Sequence, residues 1–166
     1  GLVDDVGVPK ACWHYLRRAL QPLAVFVTDE GGNGLVAHVV NERAEALEGE
    51  LRVALFNQGE VSIGNASHTV NVSGRGVYSV ALAGCFDGFL DLSYAYRFGP
   101  PQASLVHVRL CRKNGDEVSE AFFSPAGLAW TDSADIGLAA QIEAMPDGVT
   151  AVLLQTRAFA QSVQIQ

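Results

Sequence analysis

The chain is short of positive charge. Only 11 of its 166 residues are Lys or Arg against 18 Asp or Glu, which leaves a net charge of −7. A surface of that sign excludes nucleic acid and anionic membranes as partners, because both need clustered cations. The only basic cluster, Arg17-Arg18, stands where the end of a helix is expected and reads as a pair of dipole partners. Long apolar runs are missing too: no stretch of about 18 apolar residues exists, so no transmembrane helix is expected. The first residues, Gly-Leu-Val-Asp-Asp, lack the basic and apolar regions of a signal peptide. Cysteine is sparse, with Cys12, Cys85 and Cys111 widely spaced and odd in number. They read as reduced, partly buried thiols, and a Cys85–Cys111 bridge would require an oxidising compartment. The missing leader and the odd thiol count together favour the cytoplasm.

Catalytic and metal motifs are absent as well. No Cys-x-x-Cys or His-x-x-x-His occurs, and His14, His38, His68 and His107 are scattered. Cys12 and His14 are two apart on a helix and diverge. No Gly-x-Ser-x-Gly elbow is present. Gly31-Gly32-Asn33-Gly34 lacks the following Lys-Ser/Thr and helix of a phosphate loop, and reads as a turn. No metal and no cofactor are expected.

What is present is β grammar. Leu23-Ala-Val-Phe-Val-Thr and Leu35-Val-Ala-His-Val-Val-Asn flank the turn formers Asp29-Glu-Gly-Gly-Asn-Gly. That is a strand, a tight reversal and a strand. Later stretches repeat the pattern. Leu51, Val53 and Leu55 alternate with Arg52, Ala54 and Phe56, while Val61 to Gly64 and His68 to Val72 are shorter candidates. Tyr78, Val80 and Leu82 alternate again. The cleanest period of two runs through Leu90, Leu92, Tyr94, Tyr96 and Phe98, and predicts a half-buried strand with both tyrosines in the core. Val106, Val108 and Leu110 follow, then an Asn114-Gly115 turn into Val118–Phe123. About seven short strands with frequent turns predict an all-β protein built on an immunoglobulin-like β-sandwich over residues 22–125.

Two pieces flank it. Residues 1–21 hold the one expected helix, residues 8 to 20, with Pro9 at its first position. Cys12, Leu16, Ala19 and Leu20 share its apolar face. Residues 126–166 hold three predicted strands, Ile136–Ala144, Val149–Thr156 and Phe159–Ile165. Three are too few to close a sandwich, so this reads as a partial second β-domain. An uncovered helix face and an exposed edge strand near the C-terminus would each allow self-association.

Several stretches are familiar in order as well as in content: Val8-Pro-Lys through Tyr15-Leu-Arg-Arg-Ala-Leu, Asp29-Glu-Gly with Gly34-Leu through Val40-Asn, Leu47-Glu-Gly-Glu-Leu, Asp91-Leu-Ser-Tyr-Ala-Tyr-Arg, and Leu153-Leu-Gln-Thr-Arg-Ala-Phe-Ala-Gln-Ser-Val. They resemble the region that follows the catalytic barrel in bacterial β-mannosidases of glycoside hydrolase family 2. The resemblance covers most of the chain. It implies a parent that removes terminal non-reducing β-D-mannose by a retaining mechanism. It also implies that residues 1–21 once packed on the barrel, with Cys12, Trp13 and Leu16 as contacts. The family's catalytic carboxylates lie on the barrel, so no residue here inherits them. Asn41-Glu42 repeats the dipeptide that carries the family's acid/base glutamate, but falls at a strand end without the barrel around it.

The residues themselves agree that catalysis is elsewhere. A retaining glycosidase needs two carboxyl groups about 5–5.5 Å apart. The candidate pairs, Asp29 with Glu30, Asp87 with Asp91 and Asp132 with Asp135, all lie in turns or at strand ends, where solvated carboxylates are the rule. Among aromatics that could stack on a sugar, Trp130 in the link between the two β-domains is the candidate for binding an oligosaccharide. The expectation is a non-catalytic region that buttresses a barrel. The alternative is a free-standing immunoglobulin-like module that binds carbohydrate or protein.

Overall fold

The computed structural model describes residues 1–57, 61–127, 135–146, 148–160 and 163. A short helix, α1 (Ala11–Ala19), leads into β1 (Leu23–Asp29) and β2 (Leu35–Asn41). β3 (Leu47–Asn57), β4 (Val61–Val72) and β5 (Gly76–Ala81) follow. After a long irregular connection come β6 (Leu105–Arg112) and β7 (Glu117–Phe123). The last two strands are β8 (Ala139–Ala144) and β9 (Thr150–Gln155).

The first seven strands make two antiparallel sheets, ordered β1-β2-β5 and β4-β3-β6-β7. Their inner faces meet in one core, as expected of an immunoglobulin-like β-sandwich. Period two selects the core residues. Leu35, Ala37 and Val39 from β2 face Leu51, Val53 and Leu55 from β3 and Val106, Val108 and Leu110 from β6, all 2% exposed or less. The predicted β1–β2 reversal is present, with a single 3-10 turn at Gly31–Asn33. Gly31 and Gly34 both take positive φ there, at 62° and 78°. Gly115, at φ 92°, turns β6 into β7.

Four expectations need correction. The period-two stretch from Leu90 to Phe98 is not a strand. The Asp91 carboxylate accepts hydrogen bonds from the backbone N–H groups of Ala95 and Tyr96, each at 2.9 Å. Tyr94 and Arg97 adopt positive φ, at 58° and 53°, and the Tyr94 hydroxyl donates to Gly99 O at 2.9 Å. These local bonds replace a sheet ladder. Leu92 is buried in the core and Leu90 packs partly buried against it, whereas Tyr96 stands 50% exposed. The two short candidates around Gly64 fuse into one twelve-residue β4. The helix starts at Ala11, later than predicted, and Pro9 pairs with Val3 in an isolated bridge. The cause is Asp4, whose Oδ1 accepts from Val6 N at 3.0 Å and Val8 N at 2.8 Å, holding the preceding residues in a turn. Finally, among its described residues the C-terminal piece holds two strands where three were expected. Residues 159, 160 and 163 are outside any strand, and the rest of that stretch lies outside the described residues.

Among the described residues β8 and β9 pair only with each other, and Ile142, Leu153 and Leu154 are 77%, 43% and 38% exposed. An isolated hairpin of this kind has no core of its own. All three cysteines are free thiols, Cys111 buried and Cys12 exposed. Burial raises the pKa of the Cys85 thiol.

Candidate interaction surfaces

α1 is amphipathic in sequence but covers none of its apolar face. No residue of the helix is buried. Cys12 is exposed, Leu16 and Leu20 are 41% and 71% exposed, and Leu2, Val6 and Val8 just upstream add to the same apolar surface. Trp13 is half-buried, but by its own helix: His14 meets it edge-on with centroids 5.1 Å apart, and the Arg17 guanidinium lies 5.6 Å from its ring. Arg18 sits 4.8 Å from the Tyr15 ring in the same way. These cation–π contacts occupy the polar side of the helix and leave the apolar side open. Of the predicted barrel contacts, Cys12 and Leu16 are therefore on the surface with Trp13 beside them. Trp130 lies outside the described residues.

Most of the candidate carboxylates are held by local structure, while Asp87 stands exposed in the connection after β5. Asp29 accepts from Gly31 N at 2.9 Å, and Glu30 accepts from the Thr28 hydroxyl at 2.7 Å. Asp91 locks its loop as described. Asp135 accepts from Gly137 N at 2.9 Å and pairs with Arg157 at 3.3 Å, while Asp132 lies outside the described residues. Glu42 is exposed in the loop after β2. Among the described residues no three His, Cys, Asp or Glu side chains converge as metal ligands.

The outer face of the four-stranded sheet is the most organised surface. Register aligns two rows across it. One runs Asn65, Ala54, His107, Phe122, and the other Ser67, Arg52, Arg109, Glu120. A diagonal bond joins the rows, with His107 Nε2 2.9 Å from Glu120 Oε2; the second row is tied outward as well, where Arg52 Nε donates along its strand to Glu50 at 2.8 Å and Arg109 lies 3.8 Å from Glu117. Arg52 holds the Glu50 carboxyl below its ordinary pKa. His107 stacks on Phe122 with centroids 4.2 Å apart, and Phe159 from the C-terminal stretch packs on the other side of Phe122 at 5.0 Å. This face carries no single sequence signature. It follows from strand pairing, which alternation along one strand does not reveal.

Burial drives the His107 pKa below the ordinary 6.5, outweighing the Glu120 hydrogen bond, which raises it. The unfolded chain therefore binds this proton at a higher pH than the folded one. Stability is expected to fall as pH drops through about 6.5, and to stop falling below the folded pKa. Urea unfolding at pH 7.5 and 5.5 checks this: His107→Gln should show a smaller loss between the two than the unaltered chain.

The architecture defines the chain as an immunoglobulin-like β-sandwich with appended elements. No family model matches it, and no curated protein sequence does. Solved structures do. The exo-chitosanase CsxA of Amycolatopsis orientalis is similar over 95% of this chain at 16% identity, with a TM-score of 0.59. A variant of the same enzyme in complex with PNP-beta-D-glucosamine gives the same values. The exo-beta-D-glucosaminidase CsxA, from work on its inhibition by a castanospermine analogue, is 17% identical with a TM-score of 0.58. In each case the chain spans only 20% of the solved chain. At this identity the likeness establishes the fold.

Proposed function

We propose that the chain is the non-catalytic β-sandwich region of a β-mannosidase-like glycoside hydrolase of family 2. In the parent it braces the catalytic barrel, and the parent performs retaining hydrolysis of terminal non-reducing β-D-mannose. Residues 1–21 form the barrel-facing piece, 22–125 the sandwich, and 126–166 the start of a further β-domain.

One observation carries the reading: an amphipathic helix whose every residue is left unburied by the sandwich it precedes. Apolar area of that kind is worth about 25 cal/mol per Å² when covered, so an uncovered helix face marks a lost neighbour. Cys12, Trp13 and Leu16 are the barrel contacts in this account. The similarity to a fifth of an exo-acting glycosidase supports the setting. The mannose preference rests on the sequence resemblance, whereas the similar solved enzymes are described with glucosamine-type ligands.

The test has two arms. The isolated chain should not hydrolyse p-nitrophenyl β-D-mannoside. The complete reading frame that contains it should encode an upstream barrel and hydrolyse that substrate, and Leu16→Asp in that protein should loosen the barrel junction and lower its melting temperature. Hydrolysis by the isolated chain, or a reading frame without a barrel, overturns the proposal. Faster hydrolysis of the β-D-glucosaminide by the complete protein replaces mannose and keeps the rest.

A further inference from the structure

We propose that the outer face of the four-stranded sheet is a binding cleft for a short neutral oligosaccharide, a site separate from α1 and from Trp130. An open cleft of 330 Å³ lies on this face, lined by Arg52, Ala54, Asn65, Ala66, Ser67 and Arg109 among others. Its shape follows from the cross-strand rows. Ala54 stands between Asn65 and His107, and a methyl group between longer neighbours makes a depression.

The lining chemistry selects the ligand. Two guanidinium groups, an amide and a hydroxyl surround the Ala54 floor, and Glu50 adjoins them. A sugar hydroxyl both donates and accepts, and planar forks such as guanidinium and amide match adjacent hydroxyl pairs. An anion fits less well. Arg52 and Arg109 are answered on the same face by Glu50, Glu117 and Glu120, so no excess positive charge remains to attract one. The glutamates instead hold the guanidinium groups in place, as pre-organised recognition requires.

The face also breaks two rules of a purely structural sheet. Arg52 and Arg109 are direct cross-strand partners, an arrangement that is locally unfavourable. Arg109 Nε is buried without a hydrogen-bond partner, alone in this among the described side-chain atoms. Violations of this sort concentrate where function, rather than folding, selects the residue. Next to the cleft, the Ala54 row ends in the His107–Phe122 stack, which borders the depression on one side.

This inference does not depend on the parent enzyme, and the 166-residue chain itself can be tested. Amide spectra of the nitrogen-labelled chain, titrated separately with mannotriose, cellotriose and sodium glucuronate, give the reading. Saturable shifts are expected at Arg52, Ala54, Asn65, Ser67 and Arg109 with at least one trisaccharide. Arg52→Ala and Asn65→Ala, both on the solvent side of the sheet, should each weaken binding by about tenfold. Phe98→Ala, in the distant loop, should leave it unchanged. Absence of saturable shifts with either trisaccharide overturns the proposal, as do shifts that map to α1 or affinity unaltered in both cleft variants. Tighter binding of glucuronate than of both trisaccharides overturns it in favour of an anion site.

Discussion

Replacing Asn41 by leucine is expected to destabilise the sandwich by about 3 kcal/mol, although leucine is close to asparagine in volume and the site is in the core. Asn41 is 1% exposed. Its amide nitrogen donates to Glu45 O at 2.8 Å and Ser73 O at 3.1 Å, with Val72 O further away at 3.4 Å. Its Oδ1 accepts from Arg43 N at 3.1 Å. One side chain thus ties the β2–β3 loop to the β4–β5 turn through part-buried main-chain groups and, at Val72 O, a buried one. Leucine would leave them unpaired, at about 1–3 kcal/mol for each group that is fully desolvated. Asn41→Asp separates the parts of this account. It keeps the acceptor for Arg43 but sets a carboxylate against three carbonyl oxygens. Its loss should be larger than that of leucine at pH 7 and should shrink in acid, where a protonated carboxyl can donate once. Urea midpoints at two pH values decide it. A loss below about 1 kcal/mol for leucine would show that the loop finds other partners. Glu42→Gln, on an exposed neighbour, should change nothing, which also distinguishes the buried Asn41 from the glutamate that the dipeptide brings to attention.

How much of this was legible depends on where the information lies. The β1–β2 hairpin is readable because its signals are local: two β-branched runs around six turn residues. The stretch from Leu90 to Phe98 had a cleaner alternation and was still misread. There the deciding residue is Asp91, whose carboxylate captures Ala95 N and Tyr96 N and bends the chain. Alternation records which side chains are apolar, not whether the backbone has a partner strand. In consequence Phe89, Tyr96 and Phe98, at 68%, 50% and 83% exposure, form a surface cluster instead of a core row. The role of Asn41 was readable and was missed. It continues the inward phase of Leu35, Ala37 and Val39, which places a polar side chain in the core, where it must be bonded. The rows that make the outer-face cleft were out of reach, because register across β4-β3-β6-β7 joins residues more than fifty positions apart, such as Arg52 and Arg109. The uncovered apolar face of α1 was foreseen from helical spacing alone, since Cys12, Leu16, Ala19 and Leu20 fall on one side whatever lies opposite.

Gly74→Ala is the other substitution expected to be severe, at about 2–4 kcal/mol, and for a different reason. Gly74 sits in the β4–β5 turn, and a Cβ there would collide with the backbone carbonyl of Ala44 in the β2–β3 loop. The obstruction is the main chain of Ala44, so no side chain can swing away. The two loops are clamped on either side of it: Arg75 N donates to Arg43 O at 2.8 Å, and Asn41 reaches Ser73 O. A series of glycines tests whether contact, rather than loss of glycine itself, sets the effect. Gly31 has positive φ, at 62°, but open space around it, so alanine there should cost about 1 kcal/mol from backbone strain. Gly84 has neither strain nor neighbour, and alanine there should be neutral or slightly stabilising. If Gly74→Ala falls with Gly31→Ala instead of well beyond it, the corner is soft. The distinction bears on function through Pro22. Glu42 N, in the same clamped loop, donates to Pro22 O at 2.8 Å, and Pro22 is where the chain leaves α1 for the sandwich. A rigid corner fixes the exit of the helix and hence the direction in which Cys12, Trp13 and Leu16 are presented. A softened corner would let α1 reorient without disturbing its own hydrogen bonds. If the proposed barrel-bracing role holds, Gly74→Ala should therefore lower the stability of that junction as well as that of the sandwich.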